Sequence, residues 1–313
     1  MLLAAAEHFV RAPDWRWSIL AYFFLAGLSG GSYVIATLLR LSGDPRDEPA
    51  ARLGFYSSFV LILLCPVFLT VDLGASWWKF WHMLVNVTPG NTGLNFKYWS
   101  PMSVGVWLLL VFSLFATLSA LGAWLADRRG REGPPLFGPL SVAFNVVGAL
   151  AGLFFASYTG VLLSVSNQPV WSDTWTLGGL FLASGLSGAA ALIALLSRYR
   201  PLAAFSLVRL RVADGYFSLL ELILLIAFFV TVINAGSGAK TIAIVTAPLW
   251  ALAIVGLAAS LVGLRSEGRR MRPSGGGGGG AAVASVGANA VLFSVLVLVG
   301  VLALRAAVIF SGQ

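Results

Sequence analysis

Between Gly74 and Pro101 the chain gathers four tryptophans, two lysines, a histidine and a tyrosine in one short connection. Asp72 stands just before it, in Thr70-Val71-Asp72-Leu73-Gly74, and His82 follows ten residues later. An imidazole titrates near neutral pH, and a carboxylate at the rim of an apolar region can take and release protons. Together with Trp81 and the other close-set aromatics, they could bound a site for a planar, apolar molecule that exchanges protons, and a quinone (menaquinone or ubiquinone) has that chemistry. Each residue also has a plainer reading: Asp72 as a solvated helix-end group, His82 as an interfacial side chain, the tryptophans as a belt at lipid headgroups. The apolar pattern Trp77-Trp78-Phe80-Trp81-Met83-Leu84 predicts a short interfacial helix. Trp77, Trp78, Lys79 and Lys97 would then form a docking surface or the mouth of a pocket.

Three further residues carry chemical potential. Tyr158, in Ser157-Tyr158-Thr159-Gly160, falls at the depth of Asp72 when helix rise is counted at ~1.5 Å per residue. It is either packing or a hydroxyl donor to the same molecule. Glu221 interrupts Leu219-Leu220-Glu221-Leu222-Ile223-Leu224, ~10 Å inside its stretch, where a carboxyl is costly unless protonated, paired or facing a cavity. It reads as part of a proton path, a role to which Asp72 is also assigned, or as a structural hydrogen bond. Arg305 lies ~30 Å along the last stretch, out of easy reach of Glu221. It is expected to snorkel outward or to form a structural ion pair with Asp72.

The elements that must position these groups are membrane spans. The chain is 58% hydrophobic and 10% charged, far below the quarter charged of soluble domains. Apolar stretches near 17–40, 52–73, 102–125, 137–164, 174–196, 212–234, 241–264 and 284–309 are each long enough to cross a bilayer. The first and fifth carry nearly the same phrase, FLAGLSGG at 24–31 and FLASGLSGA at 181–189, and Gly54-Phe55-Tyr56 recurs as Gly215-Tyr216-Phe217. This internal repeat predicts an all-α integral membrane protein of eight helices in two related four-helix bundles. The first, 1–165, holds the quinone site and the 74–101 connection. The second, 166–313, holds the possible proton path and a Gly-rich linker at 275–280. A Gly148-x-x-x-Gly152 pair predicts close helix approach in the fourth stretch.

Fourteen arginines fall in or beside the connections after stretches one, three, five and seven, against five basic residues on the other side. The positive-inside rule then predicts a multi-pass protein of a bacterial or archaeal plasma membrane, with both termini outside. The net charge of +8 reflects this distribution, and with arginines scattered over four loops no nucleic-acid partner is implied. Two histidines, His8 and His82, cannot ligate a stacked pair of haems, and the single Cys65 cannot hold an iron–sulfur cluster. No metal, haem or cluster is therefore expected on this chain.

Several segments carry a family resemblance: FFLAGLSGGSY at 23–33, Asp72-Leu73-Gly74 with Phe80-Trp81-His82-Met83-Leu84, and Ser100-Pro101-Met102-Ser103-x-Gly105-x-Trp107. Further on come Tyr158-Thr159-Gly160-x-Leu162-Leu163, Pro169-Val170-Trp171, and the tail from Leu304-Arg305 to Gly312-Gln313. In this order they resemble the NrfD/PsrC family, the membrane subunits of polysulfide reductase, formate-linked nitrite reductase and related oxidoreductases. The resemblance implies eight helices without a redox centre and a quinone near the outer face of the first bundle. It also implies a four-cluster ferredoxin-like iron–sulfur subunit docked there, which relays to a molybdopterin or multihaem catalytic subunit. By motif the quinone tyrosine falls on Tyr158, the histidine contact on His82, with His8 the weaker candidate, and Ser103 lies in the same cluster. Such a chain would be the quinone-reactive subunit of an enzyme complex, with no activity alone. A secondary transporter with a 4+4 repeat and a purely structural anchor are the competing readings; polar candidates gathered at one rim, above an apolar midplane, disfavour the transporter.

Overall fold

The computed structural model describes residue 15 and residues 17–74, 76–130, 139–243, 245–270 and 288–313. The Gly-rich linker at 275–280 and His8 lie outside the described residues. Helices α1 (Trp17–Leu41), α2 (Glu48–Asp72), α3 (Pro101–Arg128) and α4 (Pro139–Ser164) are followed by α5 (Leu177–Leu196) and α6 (Leu207–Asn234). After these come a single turn, α7 (Gly238–Thr241), and then α8 (Ala247–Arg270) and α9 (Ala288–Ser311). Among the described residues the chain is all-α but for one small hairpin, and seven helices are long and apolar enough to cross a membrane. The apolar part of the remaining long helix, α8, spans Ala247–Gly263. Helices are the expected answer in hydrocarbon, where each backbone N–H and C=O must find its partner within the segment.

Helices α1 and α5 are the most enclosed of the set. Helix α1 touches α2, α4, α5 and α9, while α5 touches α4, α6 and α9. Glycines of the repeated phrase make this possible. A Cβ on Gly31 would strike the Gly185 carbonyl, and one on Gly185 would press into Gly27 at 2.9 Å. Gly30 and Gly152 meet in the same way, so the predicted close approach of the fourth helix is made against α1.

Arg305 corrects the expectation of snorkelling and of pairing with Asp72. It is fully buried. Its guanidinium donates to the Phe23 carbonyl (3.2 Å), the Phe181 carbonyl (3.0 Å), Ser184 Oγ (2.9 Å) and the Val301 carbonyl (3.4 Å), and it lies over the Phe181 ring. No carboxylate pairs with it among the described residues, and Asp72 is engaged elsewhere. Three helices, α1, α5 and α9, are thereby fastened by one side chain. The Gly27 site is open because a Cβ there would collide with Arg305 Nη2.

At the arginine-rich end α1, α2, α3 and α6 are tied by charge. Asp47 is fully buried; it accepts from Ser42 (2.8 Å) and Ser206 (2.6 Å) and pairs with Arg209. Glu48 holds Arg40 (2.6 Å) and Arg52 (3.1 Å), and Arg52 reaches Asp127 (2.6 Å), which Tyr56 also binds. Nearby, Arg46 keeps the Asp44 carboxyl down to about 2 through its side-chain and backbone hydrogen bonds.

The Gly27–Arg305 contact predicts a coupled pair. Gly27→Val and Arg305→Leu should each lower the thermal unfolding midpoint in detergent, the first by overpacking worth ~1–3 kcal/mol. Combined, they should cost less than their sum, because the clash disappears with the guanidinium. Strictly additive losses would show that the two positions do not share a contact.

Candidate functional site

The 74–101 connection is built from two pieces. Trp77–Met83 forms a 3-10 helix, in line with the expected interfacial helix. Val85–Thr88 (β1) and Asn91–Leu94 (β2), which sequence periodicity did not reveal, pair antiparallel with Val85 opposite Leu94 and Thr88 opposite Asn91. The turn between them is Pro89-Gly90, with Gly90 at φ +84°. A fixed proline followed by a glycine at positive φ is the chemistry of a type II turn, and that pair was the readable signal.

Asn95, directly after the hairpin, joins this segment to α3. Its backbone N–H donates to the Leu84 carbonyl (2.8 Å) and its side-chain amide to the His82 carbonyl (3.2 Å). Its own carbonyl accepts from Ser103 Oγ and from the Trp107 indole N–H, both at 3.2 Å. Ser100 caps α3 ahead of Pro101. His82 is thus held over the first turn of α3 by a residue that sequence reasoning passed over, since a lone asparagine in a polar loop gives no periodic signal.

Between these parts lies a pocket of about 350 Å³ lined by Leu73, Lys79, His82, Met83, Asn95, Lys97, Ser100, Ser103 and Val106. It contains two ammonium groups, an imidazole and hydroxyls, and no carboxylate among its lining. An apolar groove of about 210 Å³ adjoins it, sharing Leu73, Met83 and Val106 and running along Pro66, Leu69, Leu109 and Leu110. Pro66 lacks the N–H that would close the bond to Ile62, a place where a helix yields easily. Trp81 stands edge-on to the His82 ring at 4.2 Å.

The sequence candidates are therefore divided. His82, Ser103, Lys79 and Lys97 come together, with Trp81 against them. Asp72 flanks the pocket through its neighbour Leu73 and accepts from Ser18 Oγ at 2.7 Å. Tyr158 does not line this pocket: it is buried, donates its hydroxyl to the Pro101 carbonyl at 2.6 Å, and packs against Gly105. It fastens the turn of α3 that carries Ser103. Trp77 and Trp78 are 72% and 53% exposed, with Phe80, Leu94, Phe96, Tyr98 and Trp99 exposed around them. That is a large aromatic face at one end of the molecule.

Glu221 lies apart, buried in α6. Asp214, Ser218 and Glu221 follow one face of that helix at spacings of four and three. Ser187 donates to Asp214 (2.7 Å) and lies 2.9 Å from Ser218, which donates to Ser260 (2.7 Å). Beside Asp214 is a cavity of about 10 Å³, room for one water. The polar partners of Arg305 are oxygens on Phe23, Phe181, Ser184 and Val301, and Glu221 is not among them. The repeat makes this polar line visible: Asp214 and Glu221 stand where the first half has Leu53 and Val60. Among the described residues, no three His, Cys, Asp or Glu side chains group as they would to hold a metal ion.

The family model described as polysulphide reductase, NrfD matches residues 6–264. A polysulfide reductase component from Wolinella succinogenes is 26% identical over an alignment covering 96% of this chain and 94% of its own length. Protein NrfD of Escherichia coli K12 is 27% identical over 64% of this chain and 65% of its own. A selenate reductase component from Mesobacillus selenatarsenatis is 25% identical over 37% of this chain and 24% of its own. With the family match extending over most of the sequence, and the motifs in order along it, the chain belongs to the polysulphide reductase NrfD family.

Proposed function

We propose that this chain is the quinone-reactive membrane subunit of a multisubunit respiratory oxidoreductase. The observation that carries the reading is the pocket holding His82, Ser103, Lys79 and Lys97, continuous with an apolar groove beneath an aromatic face, in a chain of this family. A quinone needs partners for its ring oxygens and an apolar path for its tail, and the two adjoining spaces supply these. His82 donates to one oxygen and exchanges its proton; Ser103 serves the ring from the first turn of α3. Lys79 and Lys97 stabilise negative charge that develops on the oxygens during reduction. Asp72 passes protons to water at the rim, and Tyr158 keeps the α3 turn in place through Pro101.

The two electrons come from or go to a partner, since the family resemblance implies a chain without a redox centre of its own. The aromatic face with Trp77, Trp78, Lys79 and Lys97 is the docking surface for a four-cluster ferredoxin-like subunit, itself joined to a molybdopterin or multihaem catalytic subunit. The names of the relatives in polysulfide and selenate reductases support such a partnership. In this reading the chain is two related four-helix halves, 1–165 and 166–313. The first handles the quinone, menaquinone or ubiquinone; the second offers the line from Asp214 to Glu221 as a proton path.

In the assembled complex, His82→Ala should lower quinone-linked kcat/KM by ~100-fold, the lower range for loss of a general acid–base group. Tyr158→Phe should lower it by roughly fivefold, the worth of one hydrogen bond. Glu221→Gln should leave inhibitor affinity at the pocket unchanged and alter only proton-linked behaviour. Wild-type turnover in both His82→Ala and Tyr158→Phe would place the quinone elsewhere.

Orientation is tested separately. Reporter fusions after Arg129 and after Gln313 should report opposite sides of the membrane, with Gln313 outside. The same side for both would remove the basis for docking at the aromatic face.

A further inference from the structure

Helices α3 and α4 run together from the end where Tyr158 meets Pro101, past the stacked rings of Phe112 and Phe155, to Phe115 and Phe144, whose centroids are 4.8 Å apart. Beyond that contact a cleft of about 240 Å³ opens between them toward the arginine-rich end. Leu118, Leu121 and Leu125 form one wall, and Leu140 and Phe144 the other.

The floor offers little to a polar ligand. Ser119 is hydrogen-bonded to Tyr33 at 2.8 Å, Asn145 and Ser141 are buried, and Arg40 is held by both oxygens of Glu48 at 2.6 and 3.0 Å. An apolar chain fits such a space, and a charged headgroup does not. The rim is different. Helix α3 ends on Arg128 and Arg129, both exposed, and the Arg128 guanidinium lies 4.0 Å over the Trp124 ring. The acid beside them, Asp127, is already taken by Arg52, Tyr56 and Arg200. Among the described residues no carboxylate pairs with Arg128 or Arg129.

An apolar slot whose α3 wall runs, one helical turn past Leu125, to two exposed arginines is complementary to one amphiphile above others. We propose that the α3–α4 cleft binds an anionic phospholipid, with an acyl chain between the leucines and its phosphate on Arg128 and Arg129. Basic pockets between membrane helices recognise anionic headgroups by this combination of charge and apolar depth. The site lies at the opposite end of the first four helices from the pocket of His82, so it does not depend on the quinone reading.

The test uses the full-length chain in lipid nanodiscs and a phosphatidylglycerol carrying a photoreactive group in mid-chain, with the matching phosphatidylcholine as comparison. Phosphatidylglycerol should label peptides containing residues 118–125 and 140–145, and unlabelled phosphatidylglycerol should compete. Labelling should fall ~5-fold for each arginine removed in Arg128→Gln and Arg129→Gln. Leu140→Trp, which adds bulk at an exposed position in the mouth, should abolish labelling. If Leu140→Trp fails to fold, the two surface arginine variants still decide the matter. Equal labelling by the two lipids, labelling indifferent to both arginines, or displacement by a short-chain quinone but not by phosphatidylglycerol would overturn the proposal.

Discussion

The rest of the molecule depends on how closely α1 and α5 approach. In hydrocarbon there is no water to expel between helices, so association relies on backbones coming near enough for dense contact. Gly27, Gly31 and Gly185 supply that, and their exchange of Cβ space for backbone contact is what the repeated phrase encodes. A glycine seam alone would leave little to fix its register. Arg305 supplies this by donating to oxygens on both helices of the seam and on α9. A fully buried guanidinium is costly unless its donors find partners, and here four hydrogen bonds reach oxygens on all three helices.

Around this shared axis polar groups gather in two separate places. The pocket of His82 draws on α2, α3 and their connection, with α4 contributing Tyr158 as a fastener. A second set of polar groups lies inside, along α6. Serines of α5 and α8 surround Asp214 there. Across the repeated sequence, Leu53 and Val60 correspond to Asp214 and Glu221, so the two stretches differ in polarity at those positions.

Much of this was legible in the sequence because bilayer length and apolarity are strong constraints. The presence of the long helices and the close approach at Gly152 follow from composition and spacing. Helix starts were less legible: α2 begins at Glu48 and α6 at Leu207, earlier than the apolar stretches, because each first turn carries one charged residue, Glu48 or Arg209, held in an ion pair that hydropathy cannot register. Arg305 was misjudged for a related reason. Counting residues gives depth but not rotation about the helix axis, and an arginine that faces two glycine-rich helices has no need to reach water. Asn95 and the hairpin escaped because their role lies in backbone partners, which carry no pattern in side-chain type. Tyr158 was found by motif, yet its hydroxyl partner, a carbonyl 57 residues earlier, is of the kind no spacing rule discloses.

The arginine-rich end has a consequence for how the chain is made. Asp47 is buried against Ser206 and Arg209, partners that lie 159 or more residues further along. At ribosomal rates of ~5–20 residues per second, an interval on the order of 10–30 s separates synthesis of the acid from that of its cation. During that time the early helices reside in the bilayer with a carboxylate that has only Ser42 to bind. The Phe23 carbonyl waits longer still, for an arginine 282 residues away. The contacts that close α1 and the segment before α2 are therefore completed only after α6 and α9 have been made.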